Sequence, residues 1–414
     1  MHPAPFAAFS LALALWTVAA VSGFGQDTIL HNFTGGTADG AFPDFDSLTL
    51  SGSTLYGVAL GGGSASEGIV FSENTNGSGF TLLHSFTGSQ TDGAGPWGSP
   101  VISGSEIFGM TNTGGATGAG VAYSMNLDGS GLAVLHSFAG GSSDGSFPRG
   151  SLTLSGTTLY GLTPNGGAGD HGTVFSMNTD GSGFALLHAF SGGTGDGQDP
   201  AEGTVIVSGS KLYGMTNTGG TANHGTLFSM NLDGSGYTLL RSFAAGSSDG
   251  ANPDGSLTLI GSKLYGLTVG GGSHGGGTAF SVNLDGSGFT VLHNFGGTGD
   301  GLFPDNSLTF SGSKLYGTAS SNGAHSHGIV FEMNLDGSGY TILDNFAGGP
   351  ADGALPNGNV TLSADGGTLY GMTYQGGSSN DGTLFSLAVP EPASASLFLL
   401  GAVALAARRR RATR

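Results

Sequence analysis

The sequence contains no cysteine, and few of its residues are charged. Without cysteine the protein has no disulfide bond, no cysteine-ligated zinc, no iron–sulfur cluster and no thiol catalysis. Charged residues make up only 9% of the 414 residues, whereas glycine alone supplies 83. Hydrophobic residues still reach 37%, which is enough apolar material for a core. This composition favours a repeat protein, held together by packing and hydrogen bonds, over a disordered chain.

Basic residues are scarce in the body of the chain. Five of the ten lie in the last seven positions, so residues 27–390 hold 27 acidic and 5 basic side chains, a formal charge of −22. Such a surface would repel a phosphate backbone, and we therefore expect no nucleic-acid partner. Cations and neutral polymers such as glycans remain compatible partners.

The N-terminal segment has the pattern of a secretory signal. An uncharged apolar run extends from Phe6 to Ala20 and is followed by small residues up to Gly25. We therefore predict a signal peptide over residues 1–25 and export of the protein. No Lys or Arg precedes the run, and an uncleaved N-terminal anchor is the alternative.

The C-terminal tail has three parts in a fixed order. Pro390-Glu391-Pro392 precedes an apolar segment, 393–407, and four arginines follow. As a helix this segment would be about 22 Å long, short of a ~30 Å hydrocarbon core, but local thinning and snorkelling arginines would accommodate it. The arginines would hold that end in the cytoplasm. A plain single-span tail anchor is one interpretation.

The same tail resembles the PEP-CTERM sorting signal. In that family an exosortase, which is a membrane enzyme, recognises the signal, and the tail is removed or processed at the cell surface. The resemblance implies a sorting signal over 389–411, membrane attachment before processing, a final location at the cell surface or in the extracellular matrix, and association with exopolysaccharide. The matching motif residues are Pro390, Glu391, Pro392, Arg408, Arg409, Arg410 and Arg411.

Between the two ends, one unit of 51 to 54 residues occurs seven times. An aromatic residue followed by glycine marks each unit, at Tyr56, Phe108, Tyr160, Tyr213, Tyr265, Tyr316 and Tyr370. Within 151–190, the strings SLTLSG, TLYGLT, GTVFSMN and FALLHAF indicate four short strands. The Asp180-Gly181 pair favours a tight hairpin between the last two. Four antiparallel strands per unit are typical of a propeller blade.

The units are out of phase with the chain ends. TILHNF at 28–33 matches a fourth strand with no first three before it, and the last unit stops after its third strand, GTLFSL at 382–387. Joined, the two make a complete blade, whereas a linear solenoid would need capping units. We therefore predict an all-β, seven-bladed β-propeller over 27–388, closed by pairing of the N-terminal strand with the last blade, and followed by a short hydrophobic helix. A β-solenoid is the alternative.

These units resemble the GloVer tandem repeat. The pattern LYGxTxxGGxxxxGTVFSMNxDGSGxxxLxxF recurs, with variation, across residues 28–387. The resemblance implies an exported repeat protein that carries a surface anchor. It implies no activity and no site residues.

The longer loops all fall on one face of the predicted disc, which is where propellers carry their sites. Trp97 lies in such a loop, and Phe42, Phe147 and Phe303 lie at nearby equivalent positions. Exposed rings on a hydroxyl-rich face with little charge would stack on sugars. Simple packing within the loops is the alternative.

Histidines and aspartates of the same loops indicate two candidate metal sites. His171, His224 and His327 precede the third strands of their units, with His325 beside the last, and are candidate ligands of a transition metal. Solvated histidines spaced too far apart are the alternative. The second candidate site is a set of seven interblade aspartates. They either shape the loops or bind Ca²⁺, although no dense Asp-x-Asp-x-Asp-Gly pattern occurs. The set consists of Asp39, Asp92, Asp144, Asp196, Asp249, Asp300 and Asp352.

Three classes of function remain open. We expect an exported, non-enzymatic protein of the cell surface or matrix that is sorted by an exosortase-type system and binds exopolysaccharide through its loop face. We expect no cofactor, and Ca²⁺ is the alternative. The first alternative is a carbohydrate-active hydrolase or lyase, although no paired carboxylates, G-x-S-x-G elbow or HExxH helix is recognisable. The second alternative is a structural or adhesive module that binds protein.

Overall fold

A computed structural model describes residues 27–43, 47–200 and 202–389. Every helix or strand assigned within these ranges is a β-strand, so they offer no helix of the length and apolar character that a membrane crossing requires. The predicted signal peptide, the Pro-Glu-Pro motif, the predicted helix 393–407 and the arginine cluster lie outside the described residues.

Seven antiparallel blades of four strands each make up the described chain. The first strands of blades 1 to 7 are Thr49–Ser51, Gly93–Ser103, Thr153–Ser155, Ile206–Ser208, Thr258–Ile260, Thr309–Ser311 and Thr361–Leu362. The second strands are Thr54–Ala59, Glu106–Gly114, Thr158–Thr163, Lys211–Thr216, Lys263–Thr268, Lys314–Ala319 and Thr368–Thr373. The third strands are Ile69–Asn74, Val121–Asn126, Thr173–Asn178, Thr226–Asn231, Thr278–Asn283, Ile329–Asn334 and Thr383–Ala388. The fourth strands are Thr81–Ser85, Ala133–Ser137, Ala185–Ala189, Thr238–Ser242, Thr290–Asn294, Thr341–Asn345 and, in blade 7, Thr28–Asn32.

Six short ribbons extend the blades toward the long loops. Each joins two residues of an interblade loop to two residues beyond a second strand, and in blade 2 the same pairing is continuous with the first and second strands. The ribbons are Gly40–Ala41 with Gly61–Gly62, Gly145–Ser146 with Asn165–Gly166, Gly197–Gln198 with Thr218–Gly219, Gly250–Ala251 with Gly270–Gly271, Gly301–Leu302 with Ser321–Asn322, and Gly353–Ala354 with Gln375–Gly376.

The ring closes as the phase of the repeats predicts. Thr28–Asn32 pairs antiparallel with Thr383–Ala388, and Ile29 stands opposite Phe385. The first and last described strands therefore complete blade 7, and no blade is left with three strands. This confirms the seven-bladed propeller and excludes the solenoid alternative, because an open stack would leave these two strands apart.

First strands of neighbouring blades meet around the axis. At the junction of blades 7 and 1, the Thr361 hydroxyl donates to the carbonyl oxygen of Leu48 at 2.5 Å. Threonines at four other junctions make the same kind of bond, joining Thr49 to Pro100, Thr153 to Val205, Thr258 to Leu308 and Thr309 to Val360. At these junctions a direct hydrogen bond between first strands thus connects one blade to the next.

The core is divided into layers between neighbouring blades. In one layer Phe138 meets Phe175 of the next blade edge to face, with ring centroids 5.2 Å apart. A Cβ atom at Gly161 would overlap the ring of Phe175, which explains why glycine follows the marker aromatic residue of each repeat. The closing phenylalanine of every fourth strand is fully buried in this way: Phe33, Phe86, Phe138, Phe190, Phe243, Phe295 and Phe346.

Ring closure can be tested with a disulfide, since the chain has no other cysteine. We expect Thr28→Cys with Ser386→Cys to form a disulfide on oxidation, because these residues stand opposite each other in blade 7. The bond closes nearly the whole chain into one loop, so it should stabilise the protein by about 3–5 kcal/mol, measured by urea unfolding with and without reductant.

The matched control is Thr28→Cys with Ser281→Cys, which occupies the equivalent third-strand position of blade 5. This pair should remain as two free thiols. Equal crosslinking of both pairs, or none in the Thr28 and Ser386 pair, would contradict the closed ring.

Candidate functional site

The two faces of the ring differ in their connections. Tight hairpins join first to second and third to fourth strands on one face, which we call the hairpin face. The interblade loops and the links from second to third strands lie on the opposite face, which we call the loop face. This separation was predicted from the lengths of the links, and it places every variable loop on one side of the disc.

Each interblade loop passes through a left-handed residue immediately before its proline. Non-glycine residues cost on the order of 1 kcal/mol or more in this conformation, so the loop must be held from both sides. The Phe147 N–H, for example, donates to the carbonyl oxygen of Ala119 on the preceding blade at 2.8 Å. The residues and their φ angles are Phe42 (56°), Gly95 (59°), Phe147 (57°), Asp199 (55°), Asn252 (54°), Phe303 (57°) and Leu355 (57°).

The residue after each proline varies from blade to blade. In blades 2, 3 and 5 it is Trp97, Arg149 and Asp254, whereas the equivalent residues of blades 1 and 4 lie outside the described residues. The chain then reaches the axis, where the Ser99 N–H donates to the Ser151 hydroxyl oxygen at 2.8 Å. A cavity of about 190 Å³ opens at this point, and its lining residues are Ser47, Ser99, Ser151, Glu202, Thr204, Gly255, Ser256, Asn306 and Ser307.

A second polar pocket lies between blades 3 and 4 on the loop face. It has a volume of about 280 Å³, and its lining includes Arg149, His171 and Asp199. The Arg149 guanidinium lies 5.7 Å from the centroid of the Trp97 ring, so this arginine connects the pocket with the tryptophan. At this distance the guanidinium N–H groups can still donate hydrogen bonds to a ligand.

Two aspartates beside Arg149 have raised pKa values. Burial raises the pKa of Asp199, and the charge of Arg149 partly offsets this effect. Burial and then the Asp199 charge raise the pKa of Asp254 to about 6, although hydrogen bonds from Asn217 and from the Glu202 backbone favour its carboxylate. The buried Oδ1 atom of Asp254 has no hydrogen-bond partner, which leaves one acceptor unused.

We call Trp97, Arg149, Asp199, Glu202 and Asp254 the axial site. It combines an aromatic face, a planar donor and carboxyl groups, two of which have raised pKa values. Side chains of these three kinds recognise hydroxyl-rich ligands, through stacking and paired hydrogen bonds. Only Trp97 of this group was singled out from the sequence. For the others the sequence offered one signal, which is that the residues next to or near the interblade proline differ in type from blade to blade.

The four predicted aromatics occupy two different positions. Trp97 lies half-buried in the first strand of blade 2, whereas Phe42, Phe147 and Phe303 are the left-handed residues before their prolines. Phe147 and Phe303 are 39% and 44% exposed, and Phe42 packs 5.1 Å from the ring of Tyr374. No ring contact joins the four to one another in the part of the chain that the structure describes.

The structure does not bring the four predicted histidine ligands together. His171, His224 and His327 lie on blades 3, 4 and 6, and each uses its backbone carbonyl to accept an N–H from the next interblade loop. His325 lies on the same loop as His327. Within residues 27–43, 47–200 and 202–389, no three His, Asp or Glu side chains are placed to hold a metal ion. One histidine per blade is too widely spaced for a shared site.

Most of the interblade aspartates bind a basic residue of the preceding fourth strand. Asp196 accepts hydrogen bonds from the backbone of Ser191 and Gly197 at 2.8 and 2.7 Å, and lies 3.2 Å from His188 Nε2. Equivalent pairs are His31–Asp39, His84–Asp92, His136–Asp144, Arg241–Asp249 and His293–Asp300. These contacts support the loop-shaping interpretation, while Ca²⁺ binding stays a prediction. The signal for this pairing in the sequence was the separation of seven or eight residues between the basic residue and its aspartate.

The pairing predicts an acid-sensitive contribution to stability. Burial alone would raise the pKa of Asp196, but hydrogen bonds from His188 and the Ser191 backbone lower it to about 2. A lowered pKa stabilises the fold above the unfolded-state value near 4, and this contribution is lost as the pH falls toward 2. Asp196→Asn should therefore lower the free energy of unfolding by on the order of 1–2 kcal/mol at pH 7, measured by urea unfolding, and by much less at pH 2.5.

Asp233→Asn is the control, because this residue lies in an exposed hairpin and the amide keeps the acceptor for Ser235. It should stay close to the parent protein at both pH values. An Asp196→Asn effect of the same size at pH 7 and pH 2.5 would contradict the assignment.

Comparison with solved structures shows the propeller fold. An oligogalacturonate lyase in complex with manganese is similar over 90% of this chain and 95% of its own, with 11% identity and a TM-score of 0.57. The oligogalacturonate lyase of Vibrio parahaemolyticus gives 12% identity over the same shares, with a TM-score of 0.56. TolB from Acinetobacter baumannii, at 15% identity and a TM-score of 0.44, covers 72% of this chain, which spans 63% of TolB. At 11–12% identity, the similarity to the two lyases shows the fold alone.

The sequence of the repeats gives the closer relationship. No curated protein matches the chain. A family model, the Gloeobacter/Verrucomicrobia repeat, matches residues 17–209 and 199–402, which together include all seven blades. The chain therefore belongs to the Gloeobacter/Verrucomicrobia repeat family.

Proposed function

We propose that this protein is an exported, non-enzymatic propeller of the cell surface or extracellular matrix that binds an exopolysaccharide at its axial site. The observation that carries the proposal is the cation–π contact of Arg149 with Trp97, in which the arginine also lines the polar pocket between blades 3 and 4. No other two neighbouring blades combine an aromatic ring with a guanidinium at these positions in the described ranges.

Charge and polarity restrict the ligand. The body of the chain carries a formal charge of −22, so a polyanion would be repelled over most of the surface. The axial site holds one arginine among three acidic residues, and the cavity at the axis is lined mostly by hydroxyl groups and backbone. A neutral sugar polymer suits this lining, because its hydroxyls both donate and accept hydrogen bonds while its ring faces stack on aromatic side chains.

The chain ends support an external location. The uncharged apolar run before Ser22 has the pattern of a secretory signal, and the Pro-Glu-Pro motif, apolar segment and arginine cluster have the order of a sorting tail. We propose that an exosortase-type enzyme processes this tail after the ring has crossed the membrane. Because the chain has no cysteine, its folding does not depend on whether the cytoplasm or the cell exterior is reducing or oxidising.

A carbohydrate-active enzyme is the second candidate, and one observation favours it. Asp199 and Asp254 interact with each other beside Arg149, and both have raised pKa values. A pair of carboxyl groups, one of them held protonated by a raised pKa, is what acid–base cleavage of a glycan requires. The similarity to oligogalacturonate lyases at 11–12% identity adds the fold only. A purely adhesive, protein-binding module is the third candidate.

The ligand proposal predicts a specific effect of Trp97. This is the one tryptophan outside the predicted signal peptide, so its fluorescence reports directly on the axial site. A neutral polysaccharide from the native host's matrix should shift the emission and bind to the exported chain. Trp97→Ala should weaken binding about tenfold, the amount that loss of one stacking contact implies, as measured by isothermal calorimetry.

Phe303→Ala is the matched control, since this ring is exposed on the same face but belongs to a different blade. It should bind like the parent protein. Weakened binding in Phe303→Ala with none in Trp97→Ala would move the ligand to the rim aromatics. Release of new reducing ends or unsaturated sugars, lost in Asp254→Asn, would instead establish the enzyme.

The proposed location and sorting are tested separately by fractionating the native host. We expect the mature protein in the surface or matrix fraction, shortened at its C-terminus. Without the exosortase it should retain residues 389–411 and stay with the membrane, and mass spectrometry of the last peptide distinguishes the two forms. An unchanged C-terminus and location in the two strains would contradict sorting through this tail.

A further inference from the structure

The rim contacts between neighbouring blades follow one rule. The basic residue of each fourth strand, paired with its interblade aspartate, faces the residue that precedes the fourth strand of the next blade. His136 stacks on Phe184 with ring centroids 3.7 Å apart, and the Arg241 guanidinium lies 3.4 Å from the centroid of Phe289. The same stacking joins His31 to Phe80, His188 to Tyr237 and His293 to Tyr340.

The contact between blades 6 and 7 breaks this rule in two places. Asp344 replaces the base of the fourth strand, and Asp27 replaces the aromatic residue that precedes the next fourth strand, Thr28–Asn32. Asp352 is the interblade aspartate of this junction, and its oxygens accept the N–H groups of its own loop. Three carboxyl groups therefore meet where the other junctions combine a carboxylate, a base and an apolar side chain.

Two of these groups each have one buried oxygen without a hydrogen-bond partner. Asp344 is only 8% exposed, and its Oδ2 atom has no hydrogen-bond partner; the same holds for Oδ2 of Asp27. No ion pair joins any of the three to a base in the described part of the chain. The other charged side chains on the strands of blade 6, Lys314 and Glu332, pair with each other at 2.9 Å, and His31 of blade 7 pairs with Asp39.

We propose that Asp27, Asp344 and Asp352 form a proton-operated lock on ring closure. When the cluster holds its protons, the carboxyl groups coexist next to the N-terminal strand and the ring stays shut. When the protons leave, like charges face one another in a poorly solvated junction, and the N-terminal strand separates more readily from Thr383–Ala388. The lock acts on the one strand pairing that closes the ring.

The direction of the pH effect follows from the same geometry. Burial, followed by the charges of Asp344 and Asp352, raises the pKa of Asp27 to about 7, and burial with the Asp352 charge raises that of Asp344 to about 7. A raised carboxyl pKa means that the folded state binds protons more tightly than the unfolded state. Stability from the cluster is therefore present below pH 4 and is lost as the pH rises to about 7. This is opposite to the effect at Asp196.

Hydrogen exchange of the full chain in detergent micelles tests the lock. Amides of Ile29–Asn32 are compared with those of Val291–Asn294, the equivalent strand of blade 5, whose base and aromatic residue are present. After correction for intrinsic rates, the ratio of their protection factors should fall at least about tenfold between pH 5.5 and pH 8, since a single carboxyl shifted to about 7 already gives about thirtyfold by linkage.

Asp27→Phe with Asp344→His rebuilds the rule of the other junctions and should hold the ratio within about twofold over this range. Glu106→Gln removes an exposed acid elsewhere and should keep the full decline. A flat ratio in the parent protein, or an undiminished decline in the double variant, would overturn the lock. If the double variant does not fold, Asp344→Asn decides the matter: it removes one charge at constant size and should reduce the decline by at least half on a logarithmic scale.

Discussion

Pairing between the N-terminal strand and the last blade is the interaction on which the ring depends. All other blades are built from strands that follow one another closely in the chain, so their pairing needs only short hairpins and links. Thr28–Asn32 must instead find Thr383–Ala388 across the whole length of the repeats. This single long-range pairing gives blade 7 its fourth strand, and it lets the interblade layers form a closed series.

Repetition and variation have separate physical roles in this chain. Buried phenylalanines, the glycines that make room for their partners, and the base–aspartate pairs recur because every junction needs them. The residue after each interblade proline, in contrast, differs from blade to blade. Trp97 and Arg149 occupy this position, and they meet because consecutive blades place equivalent positions side by side near the axis.

Much of the architecture was predictable from the sequence because it rests on periodicity. The number of blades, the order of strands and the split blade follow from seven equally spaced markers and from TILHNF at 28–33. The site was less predictable, because neighbours across blades are separated by about one repeat. The contact of Arg149 with Trp97 and the meeting of Asp27 with Asp344 depend on the register between blades, which spacing alone does not give. For the histidines, similar positions on different blades suggested proximity that the size of the ring prevents.

The exit of the chain from blade 7 has a consequence for orientation. Thr383–Ala388 runs toward the hairpin face, where the Val389 N–H donates to the carbonyl oxygen of Gly367 in a hairpin of the same blade. Thr28 starts from the same side, since it stands opposite Ser386. Any tether beyond Val389 thus begins at the hairpin face. A molecule held by such a tether would present the loop face, with Trp97, away from its point of attachment.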